Sequence, residues 1–181
     1  AHGVTPEAVI GDFDSLSEAA RAALPPASLH RFEEQDSTDF DKCLRSIAAP
    51  VVLGVGFSGN RFDHQLAAYN VLVRRPAQRC VLLGAEELAF LAPPSLALDL
   101  EPGMPVSLFP MAAVEGVSDG LRWPIGGLSF APDGRIGTSN AALGPISLSF
   151  TAPKMLVILP ESVLETVMAA LIAAPARWDG A

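Results

Sequence analysis

In the first half of the chain, polar segments follow the predicted strands, and helical patterns lie between them. The run Val51-Val52-Leu53-Gly54-Val55 shows no alternation of polar and apolar residues, which is typical of a parallel strand covered on both faces. Helical patterns separate these runs and stop at Pro25, Pro50 and Pro76. Alternating strands and helices predict a parallel sheet, in which ligands bind at the carboxyl ends of the strands.

The predicted elements divide the chain into an α/β half and an all-β half. The α/β half comprises a short strand ending at Gly11, a helix capped by Ser15, a strand over 28–32, a helix capped by Ser37 or Thr38, the strand over 51–55, a helix over 61–74 and a strand over 80–83. After Gly84 the apolar runs shorten and turn signals multiply, which is the rhythm of an antiparallel β-sandwich or barrel. A helix is predicted over 161–174. We therefore expect an α/β domain over 1–84 and a β-rich domain over 85–181.

Composition limits the classes of partner. The 181 residues are 50% hydrophobic, enough for a substantial core, and carry a formal net charge of −8. Without a lysine- or arginine-rich run, the chain is not expected to bind nucleic acid. Cys43 and Cys80 are far apart and suggest neither a zinc site nor a disulfide framework. No apolar run is long enough to span a bilayer, so the expected location is the cytoplasm.

Three polar segments fall at the predicted carboxyl edge of the parallel sheet. They are Gly11-Asp12-Phe13-Asp14-Ser15, Glu34-Gln35-Asp36-Ser37-Thr38-Asp39-Phe40-Asp41-Lys42 and Gly59-Asn60-Arg61-Phe62-Asp63-His64. Carboxylates of this kind suit Mg²⁺, whereas a lysine and an arginine can meet phosphate oxygens. Asp63 is expected to orient Arg61 or to bind metal through water. Together the segments predict a nucleotide-dependent phosphoryl transferase.

These segments resemble the motifs of thiamine pyrophosphokinases. That family carries a GDFDS-type acidic turn, a DQDxTDFxKxL segment and a GxxGRxDH turn, which here read from Gly11 to Ser15, from Gln35 to Leu44 and from Gly56 to His64. Two further motifs lie in the β-rich half: Gly120-Leu121-Arg122-Trp123-Pro124 is similar to the family's GLKW strand, and Thr138-Ser139-Asn140 to its TSN turn. Each motif alone is weak, but five in the same order are specific.

The resemblance implies an activity and a set of site residues. The activity is Mg²⁺-dependent transfer of diphosphate from ATP to thiamine, giving thiamine diphosphate and AMP. The residues are Asp12, Asp14 and Asp39 for the metal, Thr38, Lys42 and Arg61 for ATP, and Gln35, Ser139 and Asn140 for thiamine, with Asp63 also in the catalytic set. The family further implies a homodimer whose sites form between the α/β half of one copy and the β half of the other.

Some expectations concern departures from the family pattern. The family has an upstream strand and an acidic turn, so one βα unit of about 30 residues is expected before this sequence. Asn60 stands before Arg61 and is expected to have a positive φ. Trp123 is expected to be a core or strand-edge aromatic. Where many relatives have an aromatic after the Ser-Asn pair, this chain has Ala141-Ala142-Leu143, which leaves the residue that stacks on thiamine unidentified.

The motifs leave three other functions open. A diphosphokinase for another hydroxymethyl heterocycle, such as a pterin, would keep the acidic turns and change the pocket in the β-rich half. A metal-dependent phosphatase would use Asp12-Phe13-Asp14-Ser15 as a nucleophile loop, but would not need the segment from Gln35 to Lys42. A non-enzymatic vitamin-binding protein would bind thiamine without needing Asp12 or Asp14.

Overall fold

A computed structural model describes residues 4–14, 16–59, 61–174 and 177–178. The chain folds into two compact units, Ala1–Ala48 and Ala49–Ala181. Across the described ranges, none of the helices has the length and apolar character needed to cross a membrane.

The first unit contains a two-stranded parallel sheet and two helices. In chain order these are β1 (Val9–Gly11), α1 (Glu18–Ala22), β2 (Leu29–Arg31) and α2 (Asp39–Ser46). The Thr38 hydroxyl oxygen accepts a hydrogen bond from the Asp41 N–H at 3.2 Å, so the predicted cap of α2 is confirmed. The Ser17 hydroxyl caps α1 in the same way, whereas the predicted cap, Ser15, lies outside the described residues.

The second unit is built around one large mixed sheet. Its elements are β3 (Val52–Val55), α3 (Phe62–Arg74), β4 (Cys80–Leu83), β5 (Glu87–Leu91), β6 (Ser95–Leu98), β7 (Pro105–Pro110), β8 (Val114–Leu121), β9 (Ser129–Phe130), β10 (Gly137–Phe150), β11 (Met155–Pro160) and α4 (Leu164–Ala173). The strand order is β3-β4-β5-β11-β7-β10-β8-β9, and β6 also pairs with β10. Only the β3–β4 pair is parallel among these described strands.

The long strand β10 pairs with three other strands of this unit. Its first residues pair with β7, whereas its later residues pair with β8 and with β6. Alternate residues from Asn140 to Phe150 are buried, as expected when one face of a strand covers a core. Phe90, Leu108 and Phe130 are among the fully buried side chains of that core, and Val167 and Leu171 of α4 pack into it.

The predicted fold class is confirmed, because the structure has a small parallel sheet, a large and mostly antiparallel sheet, and a C-terminal helix. One local detail differs from the sequence analysis. Residues 138–140 were expected to form a turn but lie within β10, where the register with β7 shifts between Gly137 and Asn140. Residue 84 lies between β4 and β5, which are adjacent strands of one sheet. The domain boundary after residue 84 stays a prediction.

Candidate functional site

The acidic turn after β1 is held in a strained conformation. Phe13 has a φ of 67°, in the left-handed region that residues other than glycine rarely adopt. An oxygen of the Asp12 side chain accepts a hydrogen bond from the Asp14 N–H at 3.0 Å. Asp12 is half-buried and Asp14 is exposed. Left-handed residues of this kind cluster at functional sites, where the surrounding structure compensates for their strain.

The carboxylate of Asp39 packs against the residue that precedes this turn. A Cβ atom at Gly11 would lie 2.9 Å from Cγ of Asp39, so only glycine fits without moving the carboxylate. Asp39 is the first residue of α2, where the helix dipole favours a negative charge. The first unit therefore places the Asp39 carboxylate against Gly11, the residue that precedes Asp12.

The chemistry of the predicted metal ligands fits Mg²⁺, since all three supply carboxylate oxygens. In the described structure these three carboxylates are not gathered around one point. Within the described part of the chain, no group of three or more His, Cys, Asp or Glu side chains is gathered closely enough to hold a metal ion. Asp12 bonds its own turn, and Asp39 bonds a lysine. The structure thus brings Asp39 to the turn of Asp12 and Asp14 without assembling the three carboxylates into one cluster.

Lys42 is buried, although the sequence analysis assigned it to a contact with ATP. Its side chain is 2% exposed, and its ammonium donates a hydrogen bond to Oδ1 of Asp39 at 3.2 Å. The two residues are three apart on α2, so they share a helix face. In this arrangement Lys42 neutralises a predicted metal ligand, and its buried ammonium would have to become exposed to contact a phosphate oxygen.

The loop that carries Gln35 and Thr38 is organised by Glu34. The Glu34 carboxylate accepts hydrogen bonds from the Ser37 hydroxyl, the Arg45 guanidinium and the Asp36 N–H. The Ser37 hydrogen bond is the main reason that the pKa of Glu34 lies below its ordinary value. Gln35 and Thr38 themselves are exposed. Glu34 is a supporting residue that the sequence analysis did not assign.

Arg61 and Asp63 form a two-point ion pair at the start of α3. Nε of Arg61 donates to Oδ1 of Asp63 at 3.2 Å, and a terminal nitrogen donates to Oδ2. The Arg61 hydrogen bond lowers the pKa of Asp63 to about 2, and Asp63 raises the pKa of Arg61. Both side chains are largely exposed. Asp63 therefore orients Arg61, one of the two roles expected for it. Asn60, with its expected positive φ, lies outside the described residues.

A cavity of about 440 Å³ opens at the carboxyl ends of β3 and β4. Its polar lining includes Ser58, Gln65, Tyr69 and Glu86, and Leu82 contributes to its apolar lining. The Gln65 amide donates a hydrogen bond to the Tyr69 hydroxyl at 2.9 Å. The carboxyl edge of parallel strands is the usual place for a bound ligand in α/β sheets.

The predicted thiamine residues of the second unit lie on β10. Ser139 is exposed and has a φ of 64°, and its N–H donates a hydrogen bond to the Ser107 hydroxyl at 3.1 Å. Asn140 is buried, and its side-chain amide bonds to the backbone of Trp123. The side chain of Ser139 is thus exposed to solvent, whereas the side chain of Asn140 is hydrogen-bonded within the protein.

Similarity to known proteins is found at the level of sequence and of fold. Residues 1–82 match the family described as thiamin pyrophosphokinase, catalytic domain. The chain is 30% identical over 155 residues to thiamine pyrophosphokinase 1 of Arabidopsis thaliana and 29% identical over 154 residues to thiamine pyrophosphokinase 1 of rice (Oryza sativa subsp. japonica). Each alignment covers 75% of this chain and 58% of the relative. The resemblance to thiamine pyrophosphokinases is confirmed.

Solved structures show the same fold. Thiamine pyrophosphokinase from Bacillus subtilis superposes with a TM-score of 0.69 at 22% identity, covering 87% of this chain and 80% of that one. A protein from Lactobacillus plantarum superposes with a TM-score of 0.73 at 24% identity, covering 88% and 81%. At 22% and 24% identity, these superpositions show a similarity of fold alone. The chain spans 58% of the length of the curated thiamine pyrophosphokinases that it matches.

The thiamine pyrophosphokinase motifs locate polar residues better than they describe their contacts. They find Asp12, Asp14 and Asp39, but they give no sign that Phe13 is left-handed or that Lys42 is buried. Both properties depend on packing within the first unit, which a motif does not encode. The ion pair between Arg45 and Glu34 cannot be recognised from spacing, since eleven positions separate the two residues.

Proposed function

We propose that this protein transfers the diphosphoryl group of ATP to thiamine in the presence of Mg²⁺, giving thiamine diphosphate and AMP. The observation that carries the proposal is the strained turn of Asp12, Phe13 and Asp14, with the Asp39 carboxylate packed against Gly11 beside it. This turn lies inside the 82 residues that match the thiamin pyrophosphokinase catalytic domain. Similarity to known proteins gives no support to a pterin diphosphokinase, a phosphatase or a non-enzymatic vitamin-binding protein.

The proposed reaction is a single displacement at phosphorus. The hydroxyl oxygen of thiamine forms a bond to the β-phosphorus of ATP, and the bond from that phosphorus to the α,β-bridging oxygen breaks. AMP leaves with the bridging oxygen, and the hydroxyl proton is released. Such transfers depend mainly on positioning the reactants and neutralising their charge. Mg²⁺ bound to the triphosphate would supply part of that neutralisation.

The residues of the first unit are proposed to act on the metal and the phosphates. Asp12, Asp14 and Asp39 hold Mg²⁺, and Thr38 contacts a phosphate oxygen. Lys42 holds the Asp39 carboxylate in the described structure and contacts the triphosphate once its ammonium is exposed. Each role uses a carboxylate, hydroxyl or ammonium that suits its target.

The residues of the second unit are proposed to act on the nucleotide and on thiamine. Arg61 contacts the triphosphate, held by Asp63 in an orientation that leaves the guanidinium largely exposed. The 440 Å³ cavity beside α3 receives the nucleoside, because its size and its mixed polar and apolar lining suit a base and a ribose. Ser139 contacts thiamine, as does Gln35 of the first unit. The homodimer and the cytoplasmic location expected from the sequence stay predictions.

The test is to measure AMP formation from ATP and Mg²⁺ with and without thiamine. AMP that appears only when thiamine is present supports the proposal. AMP that appears only with a hydroxymethyl pterin would keep the diphosphokinase chemistry and exclude thiamine as the acceptor. Release of inorganic phosphate without AMP would contradict the proposal and favour a phosphatase.

A further inference from the structure

The second unit has an open cavity at the C-terminal end of α3. Its volume is about 610 Å³, which lies within the range of small-molecule sites. Three separate segments line it: residues 70–76 at the end of α3, residues 111–112 between β7 and β8, and residues 153–154 between β10 and β11. Because α3 has 13 residues, this end lies about 20 Å along the helix axis from the end that carries Arg61. The cavity is therefore separate from the site proposed for the nucleotide.

Three basic side chains line this cavity, although the chain has a net charge of −8. Arg74 is the last residue of α3, Arg75 follows it, and Lys154 precedes β11. None of the described residues that line the cavity is acidic. Glu115 is the nearest acidic residue in sequence to the three segments; it does not line the cavity, and its carboxylate accepts a hydrogen bond from the Ser129 hydroxyl at 2.8 Å. The cavity thus reverses the overall charge of the protein locally.

The position of Lys154 distinguishes this cluster from an ordinary helix end. Arginines are common in the last turn of a helix, because a positive charge offsets the partial negative charge of the terminal carbonyl groups. That effect accounts for Arg74 and Arg75. It does not account for Lys154, which lies on a turn between two strands and lines the same cavity from a distant part of the sequence. The convergence of these cations on one concave surface indicates an anionic ligand.

The segments that carry the cations are held by backbone hydrogen bonds. The Arg75 N–H donates to the Val71 carbonyl at 2.9 Å, and the Arg75 carbonyl accepts from the Gln78 N–H at 2.9 Å. The Met111 N–H donates to the Lys154 carbonyl at 2.7 Å, which joins the turn before β8 to the turn before β11. Since these walls are already ordered, binding a ligand between them costs little backbone entropy.

We propose that this cavity binds a small organic phosphate, with Arg74, Arg75 and Lys154 around the phosphate group. A guanidinium can donate two parallel hydrogen bonds to phosphate oxygens, and an ammonium supplies a compact positive charge. The organic part of the ligand would contact the apolar lining, which consists of Val73, Pro76, Met111, Ala112 and Pro153. The inference does not depend on the proposed function.

The extent of the cavity favours a small molecule over an acidic protein partner. Nine described residues line it, whereas a specific protein–protein interface uses about 20–30 residues on each side. The enclosed volume, by contrast, suits one phosphate group with a ring attached.

A site-resolved NMR titration tests binding at this cavity. In buffer without Mg²⁺, inorganic phosphate and phenyl phosphate are each expected to shift the amide resonances of Met111, Ala112 and Lys154 saturably. Phenyl phosphate should bind several times more tightly, because its ring buries apolar surface. Shifts that do not saturate, or that are confined to the end of α3 near Arg61, would overturn the proposal. Equal Kd values for the two probes would overturn the assignment of an organic ligand.

Charge-removing variants test the role of the cations. Lys154→Gln is expected to raise the Kd for phenyl phosphate about tenfold, since it removes one charge-assisted contact, and Lys154→Arg should retain most of the affinity. Arg74→Gln, at an exposed residue, provides the same test in a second variant. Arg135→Gln removes an equal charge from an exposed position outside the cavity and should leave the Kd unchanged. Equal weakening in all three neutralised variants would show a response to net charge alone and overturn the site.

Two further outcomes separate this proposal from its alternatives. A poly-glutamate peptide that shifts the same resonances saturably, and at lower concentration than phenyl phosphate, would overturn the small ligand in favour of an acidic protein partner. The titration requires neither thiamine nor turnover. Absence of AMP formation together with saturable shifts at Lys154 would therefore reject the proposed reaction and retain this site, and the opposite pair of results would reject the site alone.

Discussion

The two units of the chain bury different kinds of side chain. Among the described residues of Ala1–Ala48, Leu44 is the one fully buried hydrophobic side chain, whereas the charged residues Asp41 and Lys42 are buried nearby. Among the described residues of Ala49–Ala181 the buried set is almost entirely hydrophobic, and most of it forms one cluster. Burial of apolar surface is the main source of folding stability, and buried charge contributes little.

This difference suggests a division of roles. The first unit carries most of the residues proposed to act on metal and phosphate, and it holds them with hydrogen bonds and ion pairs. The second unit supplies the hydrophobic core. Substitution of exposed polar residues in the first unit should therefore change activity with little change in stability, and core substitutions in the second should do the reverse.

The largest effect is expected for Asp14→Ala. Asp14 is an exposed turn residue and a proposed metal ligand, so the rate of AMP formation should fall by about a thousandfold or more. The free energy of unfolding should change by less than about 0.5 kcal/mol. Steady-state kinetics and urea denaturation measure the two quantities. Asp133→Ala, at an exposed turn of the second unit, is the matched control and should leave the rate unaltered. Normal activity of Asp14→Ala would remove Asp14 from the metal site.

The core of the second unit should respond in the opposite sense. Phe90 is fully buried on β5, and Phe90→Ala should lower the free energy of unfolding by about 3–5 kcal/mol through the lost burial and the cavity left behind. Phe62→Ala removes the same side chain from a position that is 71% exposed and should change stability by about 0.5 kcal/mol or less. Urea denaturation measures the free energy of unfolding of both variants. Similar losses would contradict the difference in burial between Phe90 and Phe62.

A smaller effect is expected where a glycine touches the proposed metal site. In Gly11→Ala the new Cβ would meet the Asp39 carboxylate at 2.9 Å, and because the Asp39 side chain is 51% exposed it can shift, so we expect a loss of about 1 kcal/mol in the free energy of unfolding. Gly59→Ala is a matched control, because Gly59 has the same φ of 159° and open space around its Cα. In thermal or urea unfolding, Gly11→Ala should be less stable than Gly59→Ala. The reverse order would disprove the close contact between Gly11 and Asp39.

The smallest effect concerns the exposed ion pair of Arg61 and Asp63. The Arg61 hydrogen bond lowers the pKa of Asp63 from 3.8 to about 2. Because the pKa is lower in the folded protein, the stabilisation is present above the unfolded pKa and is lost as the pH falls towards 2. Arg61→Gln should raise the Asp63 pKa, measured by carboxyl-carbon NMR titration. Arg74→Gln, at the opposite end of α3, should leave it near 2. An unchanged pKa in Arg61→Gln would show that this pair does not form in solution.

The sequence predicted the first unit's elements from short-range signals. The Thr38 cap and the acidic turn each depend on a few adjacent residues, so the pattern was enough to find them. The burial of Lys42 was not predictable, because it depends on how α2 packs. In the second unit, β4 was predicted with its observed bounds from one apolar run.

The parts that were missed depend on partners distant in sequence. The start of β10 was expected to be a turn at residues 138–140, since the first half of this strand alternates weakly and contains the shift in register. The hydrogen bonds of Asn140 could not be read from the motif, because its partner Trp123 lies 17 residues away. Motifs therefore identified residue types for the site, whereas the structure shows which candidates are exposed, such as Ser139, and which are buried, such as Asn140.

The most direct test of the account is to follow the phosphorus-31 spectrum of ATP, Mg²⁺ and thiamine during the reaction, with the Asp14→Ala variant in parallel. The account predicts that the protein converts ATP into AMP and a diphosphate ester in equal amounts, without inorganic phosphate, and that Asp14→Ala leaves ATP intact. Inorganic phosphate as the product, or equal turnover by both proteins, would contradict diphosphate transfer directed by the acidic turn.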